Sequence, residues 1–224
     1  MILTSCRTSI FSITVSFVLL SFIAGYQVYA LQEVLIDEKV LDRAREKYGA
    51  EAVNRINALQ ELIKNDNSKT EIEKLEKVNR FFNQYSFVDD IEHWGKKDYW
   101  ATPIEFLATE GGDCEDFSLA KYFTLKALGI PEKKLYLTYV KAIKLNQAHM
   151  VLTYYSTPSA EPLVLDNLQG NIMVASKRTD LLPVYTFNGE GLWLSKQRGK
   201  GKFVGDSNRL KRWNDLKARM ATGL

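Results

Sequence analysis

Between Asp37 and Lys64 the apolar positions Val40, Ala44, Tyr48, Ala52, Ile56, Leu59 and Ile63 recur at three- and four-residue steps. That period lines one face of a helix, which Asp37 can cap and the run Asn65-Asp66-Asn67-Ser68 breaks. Thr70 with Glu73 has the spacing of a capping box, and Ile72, Leu75, Val78, Asn79 and Phe82 continue a second amphipathic helix. From Ser86 to Thr109 the pattern is irregular and aromatic, with Trp94, Tyr99 and Trp100, and Pro103 can open a short helix. A third helix is predicted from Cys114 to Leu128, stopped by Gly129. Its apolar residues cover most of its circumference, the signature of a buried, central helix. The period then changes to that of strands: Leu135 to Ile143, His149 to Tyr155 and Leu163 to Leu168, with weaker runs at Leu182 to Phe187 and Gly191 to Leu194. Ser207 to Ala221 is helical again, with Leu210, Trp213, Leu216 and Met220 on one side. There is no internal repeat.

The N-terminus carries a different pattern. Arg7 is the only charge before Glu33, Ile10 to Ile23 is an almost unbroken apolar run, and Val28-Tyr29-Ala30 offers small residues for a peptidase. Residues 1–30 read as a cleaved secretory signal peptide, leaving 31–224 as a single domain. The run is shorter than the ~20 residues that span a bilayer. The chain has two cysteines, Cys6 and Cys114. Cleavage after Ala30 leaves one thiol and no internal disulfide. At 224 residues, with 46% hydrophobic and 25% charged, the chain can bury a sizeable core without staples. A net charge of +3 does not make nucleic acid the default partner. The basic excess is local, in Lys196 to Arg219, where a basic helix can face an anionic surface or stay solvated while Trp213 docks the helix.

Candidate chemistry centres on Cys114. A helix N-terminus stabilises a thiolate through its unpaired N–H groups and dipole. His149 begins one strand-like run and Asp166 ends the next. If those strands are antiparallel neighbours, base and carboxylate meet at one sheet edge. A helix start packed there completes a nucleophile, a base and an orienting carboxylate. The competing readings are a buried structural cysteine, a solvated strand-end carboxylate, and His93 as the base.

The segments Asp98-Tyr99-Trp100-Ala101-Thr102-Pro103, Gly111-Gly112-Asp113-Cys114-Glu115-Asp116-Phe117, Ala148-His149-Met150-Val151-Leu152 and Leu165-Asp166-Asn167 resemble the bacterial transglutaminase-like cysteine proteinases. The resemblance implies an α+β fold with a papain-like, transglutaminase-like core: N-terminal helices, and a buried nucleophile helix packed on an antiparallel sheet. It also implies a catalytic triad of Cys114, His149 and Asp166, in that chain order.

Asp113, Glu115 and Asp116 crowd the thiol with negative charge, which opposes thiolate formation. Three acids exceed what helix capping needs, and a hard cation such as Ca2+, which takes six to eight oxygens, reconciles the two facts. The resemblance places calcium ligands at these three residues. Indole N–H groups serve as oxyanion donors in transglutaminases, which makes Trp100 a candidate beside its plain reading as a core aromatic. The resemblance further implies a periplasmic endopeptidase acting on the N-terminal region of a large surface adhesin. Its implied partner is an inner-membrane cyclic-di-GMP receptor, the only route to membrane contact. Two other readings stand: a transglutaminase-like acyl transferase, and a non-catalytic calcium-binding module that engages an adhesin.

Overall fold

Asp37 caps the first helix, α1 (Glu38–Tyr48), by accepting the Lys39 N–H at 3.0 Å. The computed structural model describes residues 36–195 and 201–223; the expected signal segment lies outside the described residues. The periodic pattern of 37–64 forms two helices rather than one. Gly49 sits at φ 86, where other residues are strained, and α2 (Ala50–Lys64) starts anew beyond it. Apolar spacing survives the break because Ala44, Ala52 and Ile56 are all fully buried. The third helix, α3 (Glu71–Phe82), is capped by Thr70 Oγ1, which accepts from Glu73 N at 3.2 Å. The Glu73 carboxylate returns to the Lys69 N–H rather than to Thr70, so the box closes one residue early.

The aromatic stretch holds β1 (Ser86–Phe87), α4 (Asp90–Trp94) and α5 (Pro103–Ala108), the last with a full capping box between Thr102 and Glu105. β1 runs parallel to β2 (Gly111–Gly112), with Ser86 opposite Gly111 and Phe87 opposite Gly112. Both glycines are dictated by close approach. A Cβ on Gly111 would lie 2.1 Å from Ser86 O, and one on Gly112 would lie 2.3 Å from an Asp116 carboxylate oxygen. The central helix α6 (Cys114–Ala127) follows, with Asp113 and Asp116 as its capping box. It ends in a Schellman motif: Ile130 N–H reaches Leu125 O and Gly129 N–H reaches Lys126 O. Residues all round it are buried, including Leu119, Ala120, Tyr122 and Leu125 at 0% exposure.

A seven-stranded antiparallel sheet covers this helix, in the order β6-β5-β4-β3-β7-β8-β9. The strands are β3 (Leu135–Ala142), β4 (Gln147–Tyr154), β5 (Leu163–Leu165), β6 (Met173–Val174), β7 (Leu181–Asn188), β8 (Gly191–Leu194) and β9 (Lys202–Gly205). β4 begins two residues before His149, because the hairpin from β3 pairs Ala142 with Gln147 and Val140 with His149. β5 is shorter than the apolar run 163–168 suggests: Asp166 Oδ1 accepts the Leu168 N–H and turns the chain away. The far face of the sheet carries Val140, Val151 and Val164, with Ala175 and Leu181 against them. The C-terminal segment is a 3-10 turn at Ser207–Arg209, then α7 (Lys211–Thr222). Trp213 of α7 is 2% exposed and stacks on Phe123 of α6. No described helix is long and apolar enough to cross a membrane.

Candidate active site

Cys114 is the first residue of α6, partly buried and free of disulfides. α6 lies against β4 where β5 leaves the ladder. The β4–β5 pairing ends at Leu152 opposite Leu165. Two residues along β4, the Met150 backbone meets α6 instead: Ser118 Oγ donates to Met150 O at 3.0 Å, and Met150 N–H lies near the Cys114 sulfur, where it favours the thiolate. The nucleophile candidate is thereby fixed beside the residue that follows His149.

His149 Nε2 lies 2.8 Å from Asp166 Oδ1, with His149 3% exposed and Asp166 1%. Burial would raise the Asp166 carboxyl, but hydrogen bonds from His149 and Arg178 win and hold it below 3.8. An ionised Asp166 can only accept, so Nε2 carries the proton and the Nδ1 lone pair is left for the thiol. The structure thus brings His149 and Asp166 into direct contact and sets Cys114 against the adjoining peptide. His93 is elsewhere, in α4, edge-on to Trp94.

The acidic cluster is built by chain crossing. The parallel β1–β2 pair carries α4 to the start of α6, so that carboxylate oxygens of Asp90, Asp113 and Asp116 lie within 4.8 Å of one another. Asp113 and Asp116 come from the predicted set; Asp90 does not. Glu115 makes a second group with Asp113 and Cys114, its carboxylate 2.7 Å from the sulfur. Asp116 Oδ1 accepts the Ala101 N–H at 2.6 Å, and Asp90 accepts the Tyr99 N–H through Oδ2. Asp90 Oδ1 is buried with no hydrogen-bond partner.

Unpaired acids in a dry site take up protons. Burial first, then Glu115 and Asp98, push Asp90 to about 6. Burial, Glu115, Asp116 and Asp90 push Asp113 to about 10, and burial likewise raises Asp116. Cys114 is driven well above 9.0, by burial and then by Glu115 and Asp113. A hard divalent cation fits this donor set. It would satisfy the orphaned Asp90 oxygen and remove the repulsion that holds the thiol neutral.

Trp100 is 6% exposed and stacks on Phe187 at 5.6 Å. Its indole N–H lies near the Asp98 carboxyl and favours its ionised form, but makes no hydrogen bond of normal geometry. The loop carrying Asp98 to Ala101 is pinned from the C-terminus. Arg212 donates to Asp98 O at 3.0 Å, and Arg219 bonds Glu105 and Trp100 O. Two basic residues of α7 are therefore engaged within the protein.

Comparison with known proteins follows the same lines. The profile of the bacterial transglutaminase-like cysteine proteinases, BTLCP, matches residues 47–187. The solved structure of Legionella pneumophila LapG is 46% identical over 82% of this chain and 96% of that one, with a TM-score of 0.71. LapG in its EGTA-treated form superposes with a TM-score of 0.72, again at 46% identity and with 82% and 96% of the two chains covered. The calcium-bound form gives 0.70 at 46% identity, covering 82% of this chain and 98% of that one. A search of curated proteins gave no match. With the profile spanning most of the sheet and all of α6, and near half of the aligned residues shared with LapG, the chain belongs to the bacterial transglutaminase-like cysteine proteinase family, BTLCP.

Proposed function

We propose that this protein is a calcium-dependent periplasmic cysteine endopeptidase that cuts the N-terminal region of a large surface adhesin and so promotes release of cells from a biofilm. The observation that carries the reading is the 2.8 Å His149–Asp166 contact on the strand that Ser118 ties, one residue beyond His149, to the helix starting at Cys114. In this reading His149 Nδ1 takes the thiol proton, and Cys114 attacks a backbone carbonyl. The same imidazole returns the proton to the leaving amine. Water, deprotonated by His149, then releases the acyl group. Asp166 keeps the proton on Nε2 and stabilises the imidazolium formed in each transfer. Trp100 N–H, a buried donor with no hydrogen bond of normal geometry, is the candidate for the oxyanion.

Asp113 and Asp116, with Asp90, are the residues that would hold calcium, and Glu115 borders them. When bound, the ion supplies positive charge beside the α6 N-terminus and fixes the loop that starts it. The likeness to LapG supports an inner-membrane cyclic-di-GMP receptor of the LapD type as the partner that sequesters the enzyme.

The test is incubation of purified protein with an adhesin N-terminal fragment, with calcium or with EGTA, read by mass spectrometry. Hydrolysis at one site with calcium, and none with EGTA or in Cys114→Ala, is expected. Incorporation of an added amine in place of water would instead identify an acyl transferase. Binding without cleavage would identify a non-catalytic module.

A further inference from the structure

The carboxylate of Asp166 carries a cation on the oxygen that His149 leaves free. Arg178 follows the short turn Ala175–Lys177 in the connection from β6 to β7. Its Nη2 lies 2.7 Å from Asp166 Oδ2, the oxygen that His149 does not use. Asp166 is then fully occupied: Oδ1 accepts from His149 Nε2 and from Leu168 N–H at 3.1 Å, and Oδ2 accepts from Arg178. The guanidinium is itself gripped from the other side, with Nε 3.0 Å from Asp180 Oδ1 and Nη2 2.8 Å from Asp180 Oδ2. The side chain of Arg178 is 4% exposed and that of Asp166 is 0%, so the contact is shielded from water. From α6, the buried Lys121 faces the same carboxylate, held by Asn83, whose amide donates to Asp166 O at 2.8 Å.

A carboxylate bound only through Oδ1 can rotate about its Cβ–Cγ bond and offer either oxygen to the imidazole. With Oδ2 held by Nη2 of a guanidinium that Asp180 itself grips through Nε and Nη2, rotation would break a buried ion pair, and the plane of the carboxylate is set. We propose that Arg178 is a positioning residue for catalysis: by holding Asp166 Oδ2 it locks the carboxylate in the orientation that keeps the His149 proton on Nε2 and the lone pair on Nδ1. This rests on the triad reading above. A purely structural role is the competing account, because a buried arginine between two carboxylates also ties the β6–β7 connection to the end of β5.

The experiment uses the full calcium-loaded protein with 15N-labelled histidine, in a His93→Gln background that leaves His149 as the single ring signal. The wild-type ring should show one neutral tautomer, protonated at Nε2. Arg178→Met should show mixed tautomers, with kcat on the adhesin fragment reduced about 10- to 100-fold and KM little changed, because ground-state binding is untouched. Arg178→Lys, which restores charge without the fork, should recover part of kcat. If Arg178→Met does not fold, Asp180→Asn carries the test, with the same changes in smaller measure, since the fork loses one of its two anchors.

A folded Arg178→Met with wild-type tautomer and kcat per iodoacetamide-titrated thiol overturns the proposal, even if it melts earlier. Wild-type tautomer and kcat in Asp180→Asn do the same where the methionine variant is unfolded. His149→Ala separates the two levels. If it keeps activity, the triad reading falls and the proposal with it. If it loses activity while the Arg178 variants match wild type, the proposal alone falls.

Discussion

The protein buries carboxylates on either side of Cys114 and treats them in opposite ways. Asp166 is paired on both oxygens, by His149 and Arg178, and stays ionised. Asp90, Asp113 and Asp116 have backbone N–H groups and one another, but among the described residues no ion pair, and are pushed toward the protonated form. Burial is common to both regions, so the difference lies in the partners. One group is complete within the fold, and the other is complete only with an external charge. In the proposed mechanism the paired side would serve the base, and the unpaired side would make the thiol responsive to a metal.

The strongest way to break the comparison is to remove what the paired acid orients. His149→Ala should lower kcat by ~10²–10⁴, the usual cost of losing a general base, whereas His93→Ala should leave it near wild type. A cleavage assay with the ranking reversed would move the base to α4.

The same Asp→Asn change should then have opposite signs at the two ends. Asp166→Asn leaves the buried Arg178 with Asp180 alone and should destabilise the fold by ~1–3 kcal/mol. Asp90→Asn keeps the acceptor for Tyr99 N–H and removes one of the repelling charges. It should stabilise the metal-free protein by about 1 kcal/mol at pH 7, where the Asp90 carboxyl, held to about 6, is mostly ionised. It should also abolish stabilisation by calcium. Thermal melts with EGTA and with calcium check both, and two shifts of the same sign would mean the regions are not electrostatically distinct.

pH sharpens the contrast further. In the metal-free protein Asp90 and Asp113 hold protons up to about 6 and about 10. The unfolded chain gives them up near 3.8, so it binds fewer protons across that window, and stability falls as pH rises through it. Asp166 acts in the other direction: its contribution is present above the unfolded value and is lost as pH falls through its lowered folded value. Melting temperature with EGTA should therefore decline from pH 5 to pH 8. Calcium, bound in place of the protons, should flatten or reverse that slope. A flat EGTA profile would show that the cluster is already neutralised from within.

What the sequence revealed divides along the same line. Cys114, His149 and Asp166 could be placed because helix starts and strand ends are local features, and the β3–β4 hairpin makes neighbours of segments close in the chain. Asp90 was out of reach because its position depends on a two-residue parallel pair, Ser86–Phe87 with Gly111–Gly112, which has no periodicity to read. The adjacent pair Asp89-Asp90 amid aromatics was the one available signal. Arg178 lies in a connection without regular structure, and nothing in its surroundings marks it as buried. The basic residues of α7 looked like a solvated face because a helical wheel shows where a side chain emerges, not that Arg219 folds over the Tyr99 ring to reach Glu105. The split at Gly49 left the apolar period intact, which is why one helix was expected there.

The Met150 carbonyl has a mechanical consequence. Its buried hydrogen bond from Ser118 ties the second turn of α6 to the strand that carries the base, one residue from His149. Sulfur and imidazole therefore ride on one rigid body. When the helix rocks against the sheet, both move together, and thermal motion becomes a common displacement instead of a misalignment. An attack that tolerates errors of only about an ångström is protected from the breathing of the fold around it.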